Sequence, residues 1–392
     1  MLKDLMNQKN EKMNTTKSLY RFIHRHKSAS KIDMQTEFKI PLSTLNRMLD
    51  QLETMGLIRK SGLSDPNGGR PRVLYEILPT AGYIFGIAIS RSHVTVLLLN
   101  LRFQVVGEKR FIVTRLHTPN ITMKEIQKQI QQLLAEKQVD KDQLIGIGIG
   151  AVGPLNREKG MILNPEAFPA EGWLNVPIKD IIEGALSVPV SLNNGADLAV
   201  LAEYYFQYPR VESILYCTIG YGLRCSFIQE GSLLNKKDGD ASSYGHIAIE
   251  AINGRPCSCG KKGCLNTYVT FDAIMDSIKT NDLPSFQPVE NIAEYLVSEI
   301  RNDNPIVKEA ILNSALYLGI GIANMVKILH PKIVVLDGQL VHAYQDYYLE
   351  VKKAIQENRI NQSNDILEIR MNSFGEQTTA IGAAVQIYHE KI

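Results

Sequence analysis

Three cysteines fall within eight positions, Cys257, Cys259 and Cys264, and His246 precedes the first by eleven residues. Three thiols and one imidazole supply the four soft or borderline ligands of a tetrahedral zinc site, and Gly260 and Gly263 let so short a loop fold around an ion. A zinc ion ligated four times by protein keeps no open position for water, so the chemistry implied is structural: one ion per chain shaping a loop over about 246–264. The same residues can also be read as buried structural cysteines beside a hydrogen-bonded histidine. The opening MLKDLMNQKN has no apolar leader, and no run of about 18 apolar residues occurs, so the chain is expected in the cytoplasm and off the membrane. A reducing compartment favours metal over disulfides for such a cluster.

A second set of candidate contacts lies near the N-terminus. Pro41 suits the first turn of a helix; Leu45, Met48, Leu49, Leu52 and Met55 then form one apolar stripe, and Gly56 ends it. Ser43, Thr44, Asn46 and Arg47 fall on the opposite face near the helix start, where a recognition helix presents donors and acceptors to base edges and phosphates. Helical spacing from Asn14 through Leu19, Phe22 and Ile23, and a short helix over Lys31–Phe38, supply the scaffold. Downstream, Leu57–Lys60 and Arg70–Ile77 flank a turn-rich stretch, two strands around a glycine-rich tip that read as a wing. Arg70 and Arg72, beside Gly68 and Gly69, suit a narrow, electronegative minor groove. Residues 1–80 hold 14 Lys+Arg against 8 Asp+Glu, a net of +6 that leaves −4 for the remainder. A basic head on a mildly acidic body implies a polyanion partner for the head, or else a merely solvated basic face.

With 392 residues, 44% of them apolar, the chain has room for two or three domains with real cores. The reading is a DNA-binding head over 1–80 and an α/β body over 81–392. The body opens on strand-like Tyr83–Ile89, Val94–Asn100 and Val105–Val113, continues through an amphipathic helix over Met123–Lys137, and reaches a buried strand, Leu144–Gly150, with the loop Gly153-Pro154 behind it. Small residues Ala380, Gly382, Ala383 and Ala384 suit close packing of a last helix over Thr379–Tyr388.

These motifs resemble the ROK (repressor, open reading frame, kinase) family across essentially the whole chain, on the repressor side of that family. The match is carried by Gly153-Pro154, Asn164-Pro165, Gly172-Trp173, Asn193-Asn194-Gly195-Ala196-Asp197, and above all by Gly245-His246 with Cys257-Ser258-Cys259-Gly260-Lys261-Lys262-Gly263-Cys264-Leu265, which looks like the family's zinc signature. The resemblance implies an N-terminal winged helix-turn-helix plus a two-lobed actin-like, sugar-kinase-like α/β fold. It further implies a sugar or sugar-derived effector between the lobes, near Gly153, Asn194, Ser243, His246 and Asn266, although two of those positions, Ser243 and Asn266, have lost the family's glutamates.

Kinase chemistry needs a phosphate cradle and a carboxylate base. Where family kinases carry Asp-x-Gly-Gly-Thr, this chain reads Ala88-Ile89-Ser90-Arg91-Ser92, and the catalytic aspartate aligns with Gly195. The second phosphate loop keeps half its character as Thr218-Ile219-Gly220-Tyr221-Gly222-Leu223-Arg224. Arg91 and Arg224 would then fill the vacated nucleotide space, or bind a phosphorylated effector. The expectation is a repressor that is not an enzyme, a homodimer or homotetramer on operator DNA, with an active kinase bearing a DNA-binding head, or a repressor governed by a protein partner, as rivals.

Overall fold

The computed structural model of the chain describes residues 11–64, 71–165, 168–234, 243–279, 291–360 and 366–392. Helix α1 (Glu11–Arg25) leads through strand β1 (Ala29–Ser30) into α2 (Lys31–Phe38) and α3 (Leu42–Thr54), followed by β2 (Ile58–Leu63) and β3 (Val73–Ile77). Helix α2 has the bounds its sequence predicts because Ser30 and Asp33 close a capping box: the Asp33 N–H donates to Ser30 Oγ at 3.3 Å and the Ser30 N–H to Asp33 Oδ2 at 2.8 Å. Pro41 lies at the N-cap of α3, just outside the turn expected for it, with a φ of −59° that already suits a helix. Leu45, Met48, Leu49 and Leu52 are buried as the apolar stripe requires, packed with Leu19, Tyr20 and Ile23 of α1. The wing is a three-stranded antiparallel sheet of order β1-β3-β2. Two-residue β1 has no alternation to read, so the sequence shows only the other two strands.

The body begins with an antiparallel meander, β4 (Tyr83–Ile89), β5 (His93–Asn100) and β6 (Val105–Ile112). Helix α4 (Pro119–Lys137) starts ahead of the expected Met123, since a proline at the first helical position gives up no hydrogen bond. Strand β7 (Leu144–Ala151), the small hairpin β8 (Leu155–Asn156) and β9 (Met161–Ile162), helix α5 (Ile178–Leu186), strand β10 (Val190–Asn194) and helix α6 (Gly195–Phe206) complete the first lobe, whose sheet has the order β10-β7-β4-β5-β6. The second lobe repeats the plan with β11 (Ser213–Thr218), β12 (Arg224–Gln229), β13 (Ser232–Leu233), helices α7 (Phe271–Lys279), α8 (Ile292–Arg301) and α9 (Pro305–Leu329), then β14 (Ile333–Asp337), α10 (Gln345–Asn358), β15 (Glu368–Met371) and α11 (Thr378–Lys391). Its sheet runs β13-β12-β11-β14-β15, so meander and parallel crossovers come in the same order in both lobes. Among the described residues α9 alone is long and apolar enough to cross a membrane, and it is the core helix of the second lobe, with Val307, Ile311, Leu318 and Ile322 buried there.

Two helices cross between the lobes. Helix α6, which leaves the first sheet, buries Ala199 and Val200 against Ile214, Tyr216 and Val335 of the second. Helix α11, which leaves the second sheet, packs back on β4, β7 and α6. The approach is backbone to backbone: a Cβ on Gly148 would lie 1.9 Å from the Ala383 carbonyl oxygen, and one on Gly382 would lie 1.7 Å from that of Leu198. The predicted use of the small residues of α11 is realised in these contacts. The core of the head is continuous with this region, joining Leu19, Tyr20 and Ile23 to Leu97, Leu99, Tyr388 and Ile392.

Candidate functional site

Cysteine and histidine converge as the sequence predicts. Ligand atoms of His246, Cys257, Cys259 and Cys264 all lie within 4.8 Å of one another. Cys257 Sγ is 3.4 Å from His246 Nδ1, and Cys259 Sγ is 3.6 Å from Cys264 Sγ. A tetrahedron built on zinc–sulfur bonds of about 2.3 Å has edges of about 3.8 Å, so this donor set fits the ion. The loop is held by backbone pairing, Cys257 N–H to Lys261 O at 2.8 Å and Leu265 N–H to Ile247 O at 2.9 Å. Gly263 is required where it stands, with φ +74° and no room for a Cβ, which would fall 1.8 Å from the Glu250 carbonyl oxygen.

On the head, Ser43 and Arg47 are exposed on one face of α3, with Thr44 and Asn46 half-buried beside them. The Lys31 ammonium donates to Asn46 Oδ1 at 2.7 Å, which ties α2 to α3 and occupies one side of that amide. Arg72 is exposed at the tip end of the wing strands, where its backbone pairs with Ser64. Arg70 and the glycines before it lie outside the described residues. The wing also touches the body: Glu76 accepts from Arg59 at 2.7 Å and from Arg102 of the first lobe. Partial burial pushes the Glu76 carboxyl up, but the hydrogen bonds and charge of the two arginines hold it below its ordinary value.

Between the lobes lies a cavity of about 580 Å³. It is bordered by Ser90, Arg91, Asn194, Gly195 and Arg224, so the residues expected from the sequence at a kinase's phosphate loops and base face one space. Of the expected effector contacts only Asn194 borders it. Gly153, in a cis peptide with Pro154, and Ser243, His246 and Asn266 do not. Asn266 Oδ1 instead accepts the Leu223 N–H at 2.9 Å and sits tight against Gly245, linking the zinc loop to the second phosphate loop.

Asp197, two positions beyond Gly195, is buried and engaged at both oxygens, by Ser226 Oγ at 2.5 Å and Arg157 Nη2 at 2.7 Å. Burial pushes it up, and these two partners oppose that. At the far side of the cavity Asp337 accepts from Tyr216 at 2.8 Å, His342 at 2.9 Å and Asn372 at 2.9 Å. Burial would raise this carboxyl, yet the three donors hold it below its usual range, and the bond to Asp337 raises His342. No sequence motif marks Arg157, Ser226 or His342, because each partner lies on a different element.

Comparisons with known proteins agree with this geometry. A model described as "ROK family" matches residues 84–390, and one described as "FeoC like transcriptional regulator" matches residues 16–69. The xylose repressor of Caldicellulosiruptor bescii is 26% identical over 372 residues, 89% of each protein. The glucokinase of Halalkalibacterium halodurans is 27% identical over 253 residues, 62% of this chain and 76% of its own. A solved ROK family transcriptional regulator, described as a homologue of the Escherichia coli Mlc protein, superposes with a TM-score of 0.77 at 22% identity over 96% of both chains, and so shares the fold from head to last helix. The match over residues 84–390 takes in most of the sequence: this chain belongs to the ROK family.

Proposed function

We propose that the chain is a zinc-containing, sequence-specific transcriptional repressor of carbohydrate-use genes, released from DNA by a sugar or sugar derivative bound between the lobes. One observation carries the reading: helix α3, with Ser43 and Arg47 exposed, stands beside a wing on a body of the ROK family, and we read Gly195, at the cavity of that body, as the position of a lost catalytic base. Ser43, Thr44, Asn46, Arg47, Arg70 and Arg72 contact operator DNA, and two heads of a homodimer address a roughly palindromic site. His246, Cys257, Cys259 and Cys264 would hold Zn2+, which supplies no reaction and fixes the loop beside Asn266. Asn194 meets the effector in the cavity, while Gly153, Ser243, His246 and Asn266, which do not border it, are assigned to the effector by the family resemblance alone. The name of the xylose repressor supports a pentose or similar sugar.

The test is selection of DNA sites from a random library by the purified protein at stated salt, repeated with Arg47→Ala and Arg70→Ala, because phosphate contacts make affinity salt-dependent. An inverted-repeat site lost in both variants is expected. Weak binding that vanishes with salt and selects no sequence would refute the reading.

The second reading, an active sugar kinase with a DNA-binding head, draws on the cavity and the glucokinase relative. It needs a base, and Asp197 is held by Arg157 and Ser226. A coupled ATP-consumption assay over a sugar panel is expected to show no turnover above buffer.

A further inference from the structure

The join between head and body is built around one histidine of α1. The His24 Nε2 lies 2.6 Å from the Leu101 carbonyl oxygen, and the Tyr205 hydroxyl lies 2.6 Å from His24 Nδ1. A carbonyl can only accept, so Nε2 carries the proton and Nδ1 accepts from the tyrosine. The ring stacks on Tyr388 at 4.4 Å between centroids, and Phe103 meets it edge-on at 5.2 Å. Tyr205 lies in the last turn of α6 and Tyr388 in the last turns of α11.

The opposite ends of these two helices border the cavity. Asn194, Gly195 and Ala199 face it from α6 and its cap, Thr378 and Thr379 from α11. Thr379 Oγ1 donates to the Gly195 carbonyl oxygen at 3.2 Å, fastening the two helices where they begin. Between the ends they run backbone to backbone at Gly382 and Leu198, with no pliant side chain to absorb a shift. Each helix also grips the sheet of the lobe it did not come from. A change in the angle between the lobes must therefore displace α6 against α11.

We infer that α6 and α11 carry the state of the cleft to the DNA-binding head, with His24 as the positioning residue on which both helices close. This inference rests on the ligand-responsive reading above. A second feature fits a join made to rearrange: the Tyr20 and Tyr388 hydroxyls are buried at this seam with no hydrogen-bond partner among the described residues. The surface is not locked by every bond it has the atoms to make.

The test perturbs one end and reads the other, in the full chain without DNA or effector. Thr379→Val removes the fastening at the cleft, Tyr205→Phe removes the bond to His24, and amide hydrogen exchange is followed in α1 and in the first turns of α6 and α11. Thr379 and Tyr388 are nine residues apart, about 13 Å along a helix, beyond the range over which independent sites usually couple. Thr379→Val is expected to speed exchange in α1 at least about threefold, and Thr379→Ser, which keeps the hydroxyl, to restore the wild-type rate. By reciprocity Tyr205→Phe speeds exchange in the first turns of both helices, and the double variant departs at least about twofold from the product of the single effects. Changes confined to each variant's own end, with a double variant equal to that product, would overturn the inference. Should Thr379→Val fail to fold, the cleft-end exchange of Tyr205→Phe decides alone. Because no DNA is present, failure of the repressor reading in the site-selection experiment would leave this result standing.

Discussion

Cys264 has the least freedom of the four candidate ligands. Burial, and then hydrogen-bonded Cys259 and Cys257, push its thiol up to about 12, so at neutral pH only a cation draws it to the thiolate. Zinc uptake at this cluster would therefore release protons and weaken as pH falls. Cys264→Ser is expected to lower bound zinc from one ion per chain to less than about a tenth, read by a chromogenic chelator after dialysis; full occupancy would mean that the cluster is not the metal site. Arg47→Ala should weaken binding to the selected site by about tenfold or more, the value of one good base or phosphate contact, measured by titration at fixed salt. The convergence of His246 with three cysteines was legible because residue types suggest the chemistry, thiols at short spacing with an imidazole upstream. Arg157, which holds Asp197 from 40 positions away, was not, since a salt bridge leaves no trace in spacing.

At the scale of the element, α11 does the most positioning, and glycine sets how close it lies. Gly148→Ala would drive a Cβ into the Ala383 carbonyl, a clash with backbone that no rotamer relieves. A loss of about 3 kcal/mol in unfolding free energy is expected, at the upper end for overpacking, from urea midpoints with unchanged slope. Gly184→Ala, with open space at its Cβ position, should leave stability unchanged or slightly improved. Element type and order were readable from Tyr83 to Gly150, where apolar runs and turn residues agree, and the small-residue string of α11 announced close packing. Its partner was not readable. Which sheet a helix covers depends on a crossover that local patterning does not encode, and the pairing of β1 with β3 joins Ala29 and Ser30 to residues far along the chain.

Over the whole molecule the head and first lobe share one core, and two histidines mark the seam, His24 buried within it and His389 exposed at its edge. Burial is the main cause that brings His24 down to about 4, with His389 and Arg102 adding to it and the Leu101 carbonyl opposing. His389 is exposed at the end of α11, and partial desolvation, then Arg21 and Arg25, lower it from its ordinary value. In the unfolded chain each titrates near 6.5, so between these values the unfolded chain binds more protons. Stability is complete above about pH 6.5 and drains away as pH falls towards 4, on the order of 2 kcal/mol for buried His24 and less for His389, whose exposure to solvent screens it. His389→Gln should flatten that slope between pH 7 and 4.5 in chemical denaturation, and an unaltered slope would show that its neutrality is not part of the seam. A basic head and an α/β body were both legible as units; their common core was not, since Tyr20 and Tyr388 stand at opposite ends of the sequence.

That shared core has a consequence in time. Ribosomes deliver a chain from its N-terminus, and domains ordinarily fold in the order they emerge. Here the first sheet waits for α11 to cover β4 and β7, and the head waits for Ile387, Tyr388 and Ile392 to close its interior. The DNA reader, first to be synthesised, is among the last parts to be finished. A chain broken off before Thr378 would leave both surfaces bare and the head without part of its core.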